Sequence, residues 1–182
     1  MEILLVAGLL MLVGGFSMII IGPALEARNV EMAVRTVSTQ MSRARQLSVD
    51  ARRKTKVTFT TPGTITVEAL EGGTWTQVST VDLPGDMELG IDGSVPGVPA
   101  PGGSTYANNQ VANFSDYSEV YFMPDGSAVT SAGAHTNGVV YMAQPSKLET
   151  TTRAVTLFGS TGRIKRWEYI LDLEPPFNST WE

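Results

Sequence analysis

The sequence predicts an α+β fold: one long N-terminal α-helix, with an antiparallel β-sheet globular domain packed on the C-terminal half of that helix. Three observations predict it. An uncharged apolar run from Ile3 to Ile21 continues into an amphipathic pattern with no proline between Ala24 and Lys54. The remainder alternates polar and apolar residues between Gly/Pro pairs, the mark of antiparallel hairpins. Charge divides at the same place: seven Lys/Arg against two Asp/Glu from Arg28 to Lys54, then six against fourteen from Thr55 onward. The expected parts are an apolar helix segment (1–27), an amphipathic second half of the same helix (28–54) and a β-rich head (55–182).

The apolar run is nineteen residues long and is interrupted only by Ser17 and three glycines. At about 1.5 Å per residue it matches a hydrocarbon core of roughly 30 Å. Three readings compete: a cleaved signal peptide, a membrane anchor, and a helix that packs against copies of itself. The first is disfavoured, because no basic residue precedes the run and "IGPALEA" offers no clean A-x-A site. Glu2 stands at the lip of the run. It belongs either in a headgroup layer or beside a cation, since an unpaired buried carboxylate is very costly. Gly14-Gly15 and Gly22-Pro23 bracket "FSMIII", so this stretch is the least secure part of the helix.

After Pro23, Val30, Val34, Val37, Met41, Ala44, Ser48 and Ala51 recur at spacings of four and three, a stripe on one helix face. Arg28, Arg35, Arg43, Arg45, Arg52 and Arg53 mostly lie off it. One helix from about Glu2 to Arg53 follows. Strands are expected at "TKVTFTT", "TITVEAL", "TWTQVSTVDL", "SEVYFMP", "VVYMAQ", "RAVTLFG" and "RIKRWEYIL". Asp92 to Asn109 reads as an exposed Gly/Pro/Ser-rich loop, and the tail "EPPFNSTWE" as irregular.

Composition excludes several function classes. The chain has 182 residues, a net charge of −5 and no cysteine, so disulfides, thiol nucleophiles and cysteine metal sites are absent. An acidic body argues against wholesale nucleic-acid binding, which depends on phosphate neutralisation. No Ser/His/Asp arrangement, P-loop or dinucleotide fingerprint is present. His135 is the single histidine and has no carboxylate nearby in sequence. No cofactor, metal or enzymatic role is expected.

In order, these parts resemble the bacterial type IV pilin-like proteins, specifically the GspH/FimT group of pseudopilins. "MEILLVAGLLML" is similar to the start of those subunits, one glutamate followed by an apolar helix. "QMSRARQLSVDARRKTKVTFT" is similar to the helix-to-strand junction, with Arg43, Ala44, Arg45 and Gln46 at its centre. "VYFMPDGSA" resembles an F-x-P-x-G segment through Phe122, Pro124 and Gly126. "RAVTLFGSTGRIKRW" resembles the closing hairpin through Gly159, Thr161, Gly162 and Arg163. The chain departs from the pattern in having only Met1 before Glu2, in placing its proline about one turn late, and in having no cysteine for a C-terminal disulfide.

The resemblance implies processing by a prepilin peptidase, an inner-membrane pool, and extraction into a helical filament at the bacterial cell surface. The partners would be copies of this chain and other pilins or pseudopilins. Glu2 would neutralise a neighbour's terminal amine, and Gly14 to Pro23 would melt on assembly. Assembly residues are then Glu2, Gly14, Gly15, Gly22, Pro23, Arg28, Arg43 and Arg45, with Arg28 to Lys54 facing acidic patches of adjacent bodies that bear Glu68, Glu71, Asp82, Asp86 or Glu88. The alternative is a minor tip subunit that binds DNA through "TGRIKR". Arg163, Lys165 and Arg166 supply the charge there, and Trp167 an aromatic face for a base. Against it stands an ordinary edge strand kept soluble by charge. Asn113 and Asn178 head N-x-S/T sequons, which are chance matches or glycosylation sites. Trp75, Trp167 and Trp181 belong to the core or to an interface: one or two are expected to pack the sheet on the helix, and Trp181 to lie at an interface.

Overall fold

The computed structural model describes the backbone of every residue except 1, 102–103, 109–111, 115–117 and 172–178, and side chains from Leu25 onward, that of residue 149 excepted. Helix α1 runs Glu2–Asp50. The head follows as β1 (Thr55–Thr60), β2 (Thr64–Glu71), β3 (Thr74–Asp82), β4 (Glu88–Leu89), β5 (Ala112–Asn113), β6 (Glu119–Phe122), β7 (Ala128–Val129), β8 (Gly138–Ala143), the single turn α2 (Leu148–Thr151), β9 (Arg153–Phe158), β10 (Arg163–Ile170) and β11 (Thr180–Trp181).

The strands form two antiparallel sheets that share the helix. The first has the order β3-β2-β1-β6-β7. The second is β11-β10-β9-β8-β4, with β5 pairing β8 beside β4. Helix α1 touches β1, β2 and β6 of the first sheet and β8, β9 and β10 of the second. The expected stripe meets both. Val30, Val34, Val37, Met41, Ala44 and Ser48 are all buried, and Ala33 joins them. They pack on Val57, Phe59, Ile65, Val67, Val120, Phe122, Val140, Met142, Val155 and Leu157. Each large side chain buried this way contributes about 1.5–3 kcal/mol, so the helix stripe is what fastens the two sheets into one core.

Strands β1 and β2 bury every second residue, which is why they are legible as alternating patterns. Strand β8 does not alternate, since all six residues are buried. One of its faces lies on the helix. The other carries a second cluster of Val98, Val139, Tyr141 and Ala154, flanked by Ile91, Tyr106, Trp167 and Trp181.

Two expectations change here. The 92–109 stretch is not simply an exposed loop. Val95 and Val98 are fully buried, and the Val98 amide donates to the Tyr141 hydroxyl at 3.1 Å. The tail ends in a strand. Tyr169 pairs with Trp181, whose ring lies 5.3 Å from Tyr169 and 6.2 Å from Tyr141 and whose indole N–H donates to the Pro96 carbonyl at 2.8 Å. Trp181 is therefore used inside the chain, as a cap over the second cluster. The sheet face beneath it is apolar, and covering it removes that surface from water.

Candidate functional site

Three of the segments that looked distinctive in sequence meet at one point. Arg45 leaves α1 and donates Nε–H to the Gly126 carbonyl at 3.0 Å and Nη2–H to the Thr161 carbonyl at 3.1 Å. Gly126 sits in the turn between β6 and β7, and Thr161 in the turn between β9 and β10. A turn puts carbonyls where no strand partner can reach them, and the planar guanidinium answers two at once. Gly162 has φ +63°, and a Cβ there would lie 2.1 Å from the Gly126 carbonyl oxygen and 2.5 Å from Arg45 Nε. Only glycine fits. Gly159 is similarly constrained, because a Cβ would meet the Thr136 backbone. Ser48, one turn along α1, donates to the Met123 carbonyl at 3.0 Å, and Thr55 donates to that of Ala44 at 2.9 Å. The junction locks helix to head.

The Asp125 carboxylate closes the first of these turns. It accepts from the Ser127 hydroxyl at 2.6 Å and the Ser127 amide at 2.9 Å. Those bonds hold its pKa below the ordinary value, the side-chain bond first.

The basic segment of β10 is divided by the two-residue period of a strand. Arg163, Lys165 and Trp167 line a groove of about 510 Å³ with Tyr106, Phe158 and Pro99. The Lys165 ammonium lies 3.3 Å from the Trp167 ring centroid, and the indole N–H donates to Thr156 at 2.9 Å. Arg166 lies on the other face. It lines a groove against α1 with Arg35, Ser38, Thr39, Ser42 and Ile164. The three cations expected as one site are two sites: Arg163 with Lys165, and Arg166 with the helix.

Among the remaining helix cations, Arg28 and Arg43 are exposed, and Arg35 pairs with Glu31 at 2.7 Å. Three of the acidic residues expected to meet a neighbour are engaged within the chain. Glu68 pairs with Lys56 at 2.6 Å, and Glu71 with Arg53. Asp82 accepts from Thr64 at 2.7 Å. Asp86 and Glu88 are exposed and line a separate pocket with Asp82, Leu83 and Met87. Asn113 is half-buried in β5. His135 is exposed beside the β7 bridge. Gly14, Gly15, Gly22 and Pro23 lie in the helical backbone of α1, the side chains of Glu2 and Pro23 are not described, and Asn178 lies outside the described residues. Among the described residues no cluster of His, Cys, Asp and Glu could hold a metal ion, and no helix is long and apolar enough to cross a membrane.

Sequence reasoning missed the tie between Arg45 and the two glycine turns. The signals available were Arg45 at the centre of the helix-to-strand junction and the two glycines, each just after a turn-forming Asp or Thr.

No family model and no curated protein matches the chain. Its fold does match solved structures. The crystal structure of the type IV minor pilin FimU of Pseudomonas aeruginosa is 14% identical, with 85% of this chain and 95% of that one covered, at a TM-score of 0.51. The minor pseudopilin EpsH from the Type 2 Secretion System of Vibrio cholerae is 10% identical, with 76% and 95% covered, at 0.50. The chain has the pilin fold.

Proposed function

We propose that this chain is a structural filament subunit of a type IV pilus-like or type II secretion-like machine, not an enzyme, and that it polymerises through its N-terminal helix. The supporting observation is where the head grips the helix. Among the residues whose side chains are described, from Leu25 onward, the first helix residue in the core is Val30, and the apolar Ile3–Ile21 run comes earlier in the sequence. A run that apolar needs another medium to bury it: a bilayer before assembly, sister helices after it. The neighbours in fold, a type IV minor pilin and a minor pseudopilin, fit this reading.

In the filament, Ile3–Ile21 lies in a core of parallel helices, and Glu2 sets register by charge pairing. Gly14, Gly15, Gly22 and Pro23 give the helix its yielding stretch, and Arg28 and Arg43 face acidic surface on adjacent heads. Copies of this chain and other pilin-like subunits are the partners, with an inner-membrane pool and a surface filament as the two locations. The test is Leu10→Asp and Glu2→Ala in the full chain. Both should block incorporation into sheared filaments while leaving the head's thermal melt unchanged. Normal incorporation of Leu10→Asp would remove the reading.

One observation favours a second reading, capture of single-stranded DNA. Arg163, Lys165 and Trp167 share a groove with the half-exposed ring of Phe158, an arrangement of cations and ring faces that suits phosphates and bases. Arg163→Ala with Lys165→Ala should abolish salt-dependent retention of an oligonucleotide, whereas Arg166→Ala should not. Equal effects of both changes would count against this groove.

A further inference from the structure

We propose that the Arg166 groove is the socket for the acidic rim of a second copy of this chain, joined head to tail, and this rests on the filament reading above. The socket is polar, with Arg35 paired to Glu31 and Arg166 left as its cation. Ser38, Thr39, Ser42 and Arg35 of α1 form one wall, and Arg166 and Ile164 of β10 the other. Arg166 has no ion-pair partner among the described residues, and Arg43 is exposed one helical turn beyond Thr39. The rim is its complement. Asp82, Asp86 and Glu88 line one pocket, and Asp86 and Glu88 are exposed with no ion pair among the described residues.

Socket and rim lie at different heights on different sides of α1. Gly85, in the rim loop, packs so closely on Asn29 that an added Cβ would fall 2.4 Å from Asn29 Nδ2. The rim is therefore level with Asn29. The socket residues of α1 are centred roughly nine to ten positions later, about 14 Å further along the helix and half a turn round it. A rim cannot reach its own socket. Two parallel copies can join rim to socket only with one raised by about 14 Å along the other. A contact between unlike patches displaced along an axis does not close on itself, and it propagates as a helical polymer. The charges fix direction as well as register, because like patches placed together repel.

The chain has no cysteine, so an introduced pair reports this contact cleanly. Full-length chain carrying Ser42→Cys and Asp86→Cys is expressed in bacterial membranes, sheared and treated with a short bismaleimide. Both sites are exposed, so the fold is not at risk, and a thermal melt checks it. The expected result is a ladder of dimer, trimer and higher species from the double variant and monomer from each single variant. Adding Arg166→Glu should reduce the ladder at least tenfold. Filaments recovered without a ladder overturn the contact and leave the filament reading standing. Absence of both filaments and ladder overturns the two together. Crosslinking that stops at dimer, or a ladder indifferent to Arg166→Glu, also overturns the proposal.

Discussion

Arg45 and Gly126 are 81 positions apart in sequence, and the guanidinium Nε–H of one donates to the carbonyl of the other at 3.0 Å. The same guanidinium reaches the Thr161 carbonyl, 116 positions away, at 3.1 Å. One helix side chain thus ties two hairpin turns from two different sheets to the helix. Arg45→Ala strips both carbonyls of their donor. It should cost about 2 kcal/mol, the scale of hydrogen bonds to a charged group. Arg45→Lys should recover less than half of that, because an ammonium presents no planar fork. Urea unfolding followed by tryptophan fluorescence measures both.

Gly162 and Gly72 have similar positive φ, +63° and +58°, but different surroundings. Nothing lies within 4 Å of a Cβ on Gly72. Gly72→Ala should therefore cost only the backbone penalty, about 1–2 kcal/mol. Gly162→Ala adds a collision with the Gly126 carbonyl and Arg45, and should cost at least about 3 kcal/mol, near the upper range of single substitutions. Equal melting shifts for the two would show that the Arg45 junction is not tight.

The turn at Asp125 makes a pH prediction. Its carboxyl titrates below the ordinary value of 3.8 because Ser127 donates to the charged form. The folded pKa is lowered, so its stabilisation is complete above the unfolded value and is lost as pH falls through the folded one. Between about pH 4 and pH 2, wild-type melting temperature should fall more steeply than that of Asp125→Asn. Parallel curves would remove Asp125 from the account.

Trp181 tests the tail. If it caps Tyr141 and Tyr169, Trp181→Ala should lower the stability of the isolated monomer by about 2 kcal/mol, less than a fully buried tryptophan would cost. A residue reserved for an interface would leave the monomer's melt unchanged.

The sequence makes the helix legible because its buried stripe keeps the helical period from Val30 to Ser48, and tertiary contacts follow that period. Strands β1, β2 and β3 are legible through alternation and bounding Gly/Pro pairs. The two-residue strands β4, β5, β7 and β11 are too short to carry a period, and pairing with a neighbouring strand alone defines them. Val98 looks like a loop residue because its apolar neighbours Tyr141 and Trp181 are more than forty positions away. The division of β10 into an Arg163–Lys165 face and an Arg166 face follows from alternation, and counting adjacent charges hides it. The Arg45 junction is a convergence of three segments that no local pattern records.

Filament formation is the property on which the proposed function stands. Its most direct test is electron microscopy of the sheared surface fraction, with mass spectrometry of the subunits and of the peptide containing Glu2. The expected result is filaments in which this chain is present and that disappear when Leu10→Asp replaces the wild-type protein. Recovery of the chain only from membranes, with surface filaments free of it, would contradict it.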